Sequence, residues 1–471
     1  MNKSKRTVSF REAISILVVM LVILGLGVIK FGLSPQTPVL VVIGLLILWS
    51  KLRGSSWDEI FDGISDGVRN GIIPIFIFIL IGSLIGTWIA AGIIPSMMVA
   101  GFHMISAQWF VPSVFVVCAL IGTSIGSAFT IVSTIGIALF GMGQTLGMNP
   151  ALVAGAIISG AIFGDKTSPL SDSTNLASAI AEDDLFAHIK NLMWTTIPAF
   201  LISLVLYTLL GNAGSTNNLG KIDTTLNVLN SHFFISWWAI LPIALLFICS
   251  IMKIPAVATL LLNITVTVGM IFIENPNTQV KSVAGFIENG FVSKTGNASV
   301  DALLTRGGIS SMMGTVSLIF LTLSLGGLLM KFDVIQTAMK PLAEKLQSNG
   351  SVVTATILSG IGVNIFVGEQ YLSVILPGKA FKETFNKRGL DNLALSRVLE
   401  DGGTVINYLI PWGVAGAFVA NTLGVPTLSF LPFCFFSLLS PILSILSGFT
   451  GIGLKKLDKT KTKDKKVAEL A

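Results

Sequence analysis

The sequence predicts an all-α polytopic membrane protein with inverted structural repeats, re-entrant hairpins and interrupted helices, about ten spans plus two hairpins. Three observations carry this. Of 471 residues, 52% are hydrophobic and 11% charged, and apolar runs recur at the roughly 20-residue length that crosses a bilayer. No Asp, Glu, Lys or Arg occurs from Asn70 to Gly164, after which Asp165, Lys166, Thr167, Ser168, Pro169 and Asp172 interrupt an apolar stretch that resumes at Leu176. That interruption has a counterpart, because Pro169 and Pro411, like Gly147 and Gly389, share one offset (411 − 169 = 389 − 147 = 242). Backbone leaves helical form at membrane depth only where protein or a water-filled cavity surrounds it, and ionisable residues there are functional by default.

The elements follow in order. Spans are expected over 12–30 and 37–50, turned by Pro35 and Pro38, and then an amphipathic interfacial helix over 57–70, where Trp57, Ile60, Phe61, Ile64 and Val68 keep helical spacing. A span over 72–91 and a short interfacial piece over 94–106 lead to the first hairpin, 112–147, with its tip at Gly122–Ser127. The first interrupted helix covers 150–180. A polar segment with His188, read as a cytoplasmic-face residue with pH sensing as the alternative, precedes a span over 192–210. Polar loops at 212–231 and 275–306 flank spans over 234–252 and 254–274. A span over 309–330, an interfacial helix over 333–347, the second hairpin at 352–377, the second interrupted helix at 390–423 and a last span at 428–447 complete the chain. The domain reading is an N-terminal helical hairpin (1–56), repeat 1 (57–211), connecting helices (212–281), inverted repeat 2 (282–450) and a basic cytoplasmic tail (451–471).

Charge sets the orientation. The net charge of +6 comes largely from Lys3, Lys5, Arg6 and Arg11 at one end and the lysines from Lys455 to Lys466 at the other, which places both termini in the cytoplasm and speaks against nucleic acid as a partner. Lys331, Lys340 and Lys345 follow the 309–330 span. No Lys or Arg follows the 72–91 span until Lys166, so the two equivalent spans point opposite ways. Inverted repeats with interrupted helices belong to secondary transporters. The first apolar run lacks a small-residue cleavage site and reads as a retained helix. Cys118, Cys249 and Cys434 lie in apolar runs without a CxxC spacing, so neither disulfides nor zinc are expected, and no cofactor is. An intramembrane aspartyl protease would want GxGD, but Ile162 stands at the first glycine position, so an enzyme is not expected.

The candidate chemistry is a cation site. Asp165 is the first ligand, with Thr167, Ser168, freed carbonyls and the hairpin hydroxyls Thr123 and Ser124 completing an oxygen shell; the alternative is a carboxylate held by Lys166 to seal the break. Lys166 could neutralise an empty site or meet a substrate carboxylate. Asp172 is a site residue or a helix cap before Leu176. Asn364 and Glu369 stand at the second hairpin tip, and with Asp165 form the expected Na⁺ ligands. Asn407 matches Asp165 at the same offset (407 − 165 = 242). Glu400 and Asp401 precede the second break, where Arg397, one turn earlier, can neutralise Asp401. H⁺ and Na⁺ would compete for one shared carboxylate.

The motifs FGDKTSPLSDSTNLAS, GEQYLSVILPGKAF, LSRVLEDGGTVINYLIPWG and VANTLGVPTLSFLPF together resemble the NhaC family of bacterial Na⁺/H⁺ antiporters. The resemblance implies a plasma-membrane exchanger of Na⁺ or Li⁺ against H⁺, and includes a relative exchanging Na⁺-lactate for H⁺-malate, so small carboxylates are the alternative cargo. The wider ion-transporter superfamily implies a homodimer in which hairpins and broken helices move against a scaffold.

Overall fold

The computed structural model describes residues 8–69, 71–211, 219–344 and 346–457. Lys3, Lys5, Arg6, Lys345, the 212–218 part of the polar loop and the tail from 458 lie outside the described residues. Among the described residues seven helices are long and apolar enough to cross a membrane, or up to ten if each of three bent helix pairs is one span. Among the described residues β-structure is confined to two isolated bridges.

The chain folds as its breakers dictate. Trp57–Arg69 is a helix with Trp57 and Phe61 exposed and Ile60, Gly63 and Gly67 buried. It lies against Ile309–Lys331 closely enough that a Cβ on Gly67 would meet the Gly327 Cα at 2.8 Å. In the first hairpin Phe110–Ile125 ends at Gly126 in the left-handed conformation (φ 73°), and Ser127 caps the return arm, which runs through Ala128–Ile131, a π-helical turn and Ile137–Thr145. The second hairpin repeats this: Asn349–Val367 ends at left-handed Gly368 (φ 71°) and Glu369 caps Gln370–Lys387. Both tips keep the 242-residue offset, since 368 − 126 = 369 − 127 = 242. Glycine is required at each tip because L side chains are strained at that φ.

Each hairpin lies along one broken helix. A Cβ on Gly164 would fall 2.4 Å from the Gly122 Cα, and one on Gly160 would fall 2.4 Å from the Phe115 carbonyl oxygen. Gly402 and Gly360 make the equivalent seam in the second half, against Ile357 and Gly403. The two broken helices run oppositely. Asp172–Ala181, the end of the first, packs on Asn392–Leu399, the start of the second, while Val414–Leu423 packs back on the Val132–Thr145 arm beside which the first begins.

Two expectations need correction. The polar loop after Gly211 holds the helix Leu219–His232, bent by 91° from the next span, and the 275–306 loop holds Val280–Glu288 and Ala298–Leu304. Weak amphipathic patterns with many small polar residues hid both. In addition, the hairpin arms Ala128–Thr145 and Asn349–Val367 are each long enough to cross.

Candidate ion site

The first break is four residues long. Pro150–Thr167 stops where Ser168 becomes extended, and Asp172–Ala181 restarts behind the cap Ser171, whose side chain accepts from Thr174 N–H. The stranded carbonyls are met by side chains. Thr174 Oγ1 lies 3.3 Å from Asp165 O and 3.2 Å from Lys166 O, and Asn175 Nδ2 donates to Pro169 O at 3.0 Å. An unmet group in hydrocarbon costs several kcal/mol, which explains the run of hydroxyls. The first helix points its C-terminal carbonyls at the break and the second its N-terminal amides, so the break has a face for a cation and a face for an anion.

The hairpin tip docks on this break. Thr123 and Thr167 share a hydrogen bond of 2.9 Å, and a Cβ on Gly126 would lie 2.8 Å from the Ser168 hydroxyl. Asp165 is half-buried, and its Oδ2 is 3.5 Å from the Ser173 hydroxyl. Ser168 is buried and accepts from Leu170 N–H at 3.2 Å. Ser124 instead faces outward, donating to Leu120 O, so it is not brought to the break. Asp172 is exposed in the first helical turn, and the cap expected of it is Ser171.

The second break is held by amides. Asn407 Nδ2 donates to Asn364 Oδ1 at 2.8 Å, Asn364 Nδ2 donates to Gly403 O at 2.6 Å, and Ala415 N–H donates to Asn407 Oδ1 at 3.2 Å. Trp412 Nε1 donates to Ile365 O at 2.6 Å. Glu369 is buried, and its carboxylate accepts from Leu372 N–H at 2.8 Å, with the Tyr371 and Gln370 amides also turned to it. It caps the return arm as Ser127 does in the first half. The return arm Gln370–Lys387, which carries Tyr371 at its start, packs on Asp172–Ala181 and so links the halves.

Between the breaks lies an ion pair. Lys166 and Asp401 are both fully buried and bonded to each other, Thr195 Oγ1 donates to Asp401 Oδ2 at 3.0 Å, and the Lys166 ammonium stands 5.6 Å from the Phe436 ring centre. Lys166 therefore does not hold Asp165. Nor does Arg397 neutralise Asp401: its guanidinium donates to Gly453 O at 2.7 Å and Ser447 Oγ at 2.8 Å, because the helix turns it outward from the break. Glu400 begins a π-helical turn, Glu400–Thr404, which widens the helix where Gly402 and Gly403 let the hairpin arm approach. His188, expected at a face, has a fully buried side chain with neither ring nitrogen hydrogen-bonded. Among the described residues no three His, Cys, Asp or Glu side chains converge as a metal site.

Sequence reasoning missed Thr174, Thr195 and Tyr371. Thr174 was legible as one more hydroxyl in the charged patch. Thr195 carries no signal, because a lone Thr in an apolar span usually bonds its own helix.

Oppositely directed broken helices and hairpin tips, meeting around buried ionisable groups, define a multi-pass membrane transporter. The chain belongs to the Na⁺/H⁺ antiporter family, whose profile matches residues 160–452. It is 40% identical over 454 residues to the Na(+)/H(+) antiporter NhaC of Alkalihalophilus pseudofirmus, covering 96% of this chain and 98% of that one. It is 35% identical to the arginine/ornithine antiporter ArcD of Halobacterium salinarum, over 94% of this chain and 92% of that one. It is 34% identical to the malate-2H(+)/Na(+)-lactate antiporter of Bacillus subtilis, over 77% and 78% respectively.

Proposed function

We propose that the protein exchanges Na⁺ or Li⁺ for H⁺ across the bacterial plasma membrane by alternating access, as a homodimer with both termini cytoplasmic. The observation that carries this is the half-buried Asp165 at the first break, next to hydroxyls and the negative end of a helix. An oxygen-only set suits a hard alkali cation. Asp165 takes either the cation or a proton, and Thr167, Ser168, Thr123 and carbonyls of the break supply neutral oxygens. Asn364, Asn407 and Glu369 form the other wall. The exchange needs no cofactor.

The names of two relatives carry an organic-ion alternative. Against it, Lys166 and Arg397, the cations available for a substrate carboxylate, are both engaged within the protein. Purified protein in liposomes separates the readings. Under an imposed pH gradient, NaCl or LiCl is expected to drive proton flux, while malate, lactate and arginine without Na⁺ are not. Asp165→Asn keeps the shape but cannot titrate, and is expected to lower Na⁺-driven proton flux at least 100-fold, about 2.7 kcal/mol in barrier terms. Wild-type flux in that variant sinks the assignment.

A further inference from the structure

The return arm of the second hairpin and the interfacial helix before that hairpin enclose a groove that holds no residue of either break. Val334–Glu344 packs on Gln370–Lys387, and between them lies an open cavity of about 980 Å³. On the arm, Leu376, Ala380, Glu383 and Lys387 line it, and their three- and four-residue spacing puts them on one helical face. The lining is of two kinds. Met330, at the end of Ile309–Lys331, with Met339, Leu346 and Leu376, is apolar. Lys340, Lys379, Lys387 and Arg388 are cationic, against the one carboxylate of Glu383.

The bland reading is a solvated positive face at the cytoplasmic ends of helices. The pairing of the lysines speaks against it. Those around the groove are met by carboxylates: Lys331 by Asp62 at 3.3 Å, Lys382 by Glu182 at 2.8 Å and Lys387 by Glu383 at 2.7 Å. Lys340 and Lys379 stand on opposite walls, one on each helix, and neither makes an ion pair among the described residues. Arg388 donates to Leu346 O at 2.6 Å, which engages only part of a guanidinium's fork of donors. With Lys387 matched by Glu383, three cations lie around one cavity without a countercharge.

Lysine and arginine together suit a phosphate group. The apolar share of the lining decides where that phosphate comes from. A free phosphate would leave Met330, Met339 and Leu376 wet, in a cavity roughly thirty times the share of one water molecule. A phospholipid covers them with an acyl chain and keeps its head group at the cations. The groove also lies where a lipid can enter it, beside the end of a span and on its basic flank.

We propose that this groove binds one anionic phospholipid, with its phosphodiester between Lys340, Lys379 and Arg388 and an acyl chain along Met330, Met339 and Leu376. The lipid touches the interfacial helix and the hairpin arm at once. Its binding needs neither the cation nor the proton of the exchange.

The test is native mass spectrometry of the full chain in detergent, with phosphatidylglycerol or phosphatidylcholine added at equal concentration. Phosphatidylglycerol is expected to be retained as a single adduct at least tenfold more strongly, and equal retention of the two lipids overturns the proposal. The double variant Lys340→Gln/Lys379→Gln is expected to lower phosphatidylglycerol retention about tenfold, which is about 1.4 kcal/mol. Lys340→Arg/Lys379→Arg is expected to keep it, as is Lys190→Gln, which removes an exposed lysine elsewhere. Undiminished retention in the Gln pair, or an equal loss in Lys190→Gln, shows that any surface charge attracts the lipid and refutes a built site. Excess glycerol phosphate is expected not to displace the lipid; displacement makes the groove a soluble-phosphate site and rules out the lipid. Both lysines are exposed, so the Gln pair is expected to match the wild-type thermal midpoint without lipid. If that midpoint falls, the lipid preference and the glycerol phosphate competition of the wild type decide.

Discussion

A 2.8 Å hydrogen bond from Asn407 Nδ2 to Asn364 Oδ1 joins the second broken helix to the second hairpin, at the position where the first half carries Asp165 opposite Gly122. The pseudo-symmetric partners thus differ in charge but not in place (407 − 165 = 364 − 122 = 242). In the proposed exchange Asp165 is the titrating group at this position, and the Asn407–Asn364 bridge is a fixed, neutral wall.

That wall can be tested. Asn407→Ala strands the Asn364 carbonyl and the Ala415 amide, both buried. The expected cost is about 1–3 kcal/mol, read as a lowered thermal midpoint in detergent. An unchanged midpoint would show that the amide bridge contributes nothing to the fold.

The Lys166–Asp401 pair behaves differently when one partner or both are removed. Lys166→Met or Asp401→Leu alone leaves a buried charge, and each is expected to destabilise by about 3–5 kcal/mol. The double variant is expected to lie close to wild type in stability, because desolvation of both charges disappears together. Additive losses in the thermal denaturation cycle would contradict this.

Glycines at the seams and elsewhere should respond unequally. Gly164→Ala drives a methyl into the Gly122 backbone, an overpacking cost of about 1–3 kcal/mol. Gly269 has no atom within 4 Å of its missing Cβ, so Gly269→Ala is expected to be neutral or to gain up to about 1 kcal/mol in helix propensity. Equal midpoints for the two variants would argue against the close approach.

Opposite orientation of the repeats is measurable in cells. The native Cys118, Cys249 and Cys434 are buried, so single added cysteines report cleanly. Ser65→Cys, on the exposed face of Trp57–Arg69, is expected to label from the cytoplasm, and Ser310→Cys, at the start of Ile309–Lys331, from outside. Labelling of both from one side would mean parallel repeats.

Much of this architecture was readable because breakers and charges are rare in apolar sequence. Pro169, Pro411, Gly126 and Gly368 each sit where the backbone must leave a helix, and lipid penalises such points unless something satisfies them. The partner of Lys166 was not readable. Asp401 lies 235 residues away, and sequence spacing favours the nearer Asp165 for Lys166 and the nearer Arg397 for Asp401. Which face a helical side chain takes depends on π-helical turns such as Glu400–Thr404, which shift the register after they begin and leave no mark in composition. Burial of His188 was hidden for a similar reason, because a polar flank predicts solvent unless another helix covers it.

The glycine seam between Phe110–Ile125 and Pro150–Thr167 also has a mechanical meaning. Where two backbones touch with no side chains between them, there is nothing to re-pack, so sliding would force main chain through main chain. The hairpin and its broken helix must therefore travel together as one stiff body, carrying Thr123 and Asp165 at a constant separation. Any opening of the site then occurs along surfaces padded by long side chains. A disulfide stitched across the seam, from Ala119→Cys to Ala161→Cys, should leave exchange rates intact, and loss of transport on oxidation would show the seam to be a sliding joint.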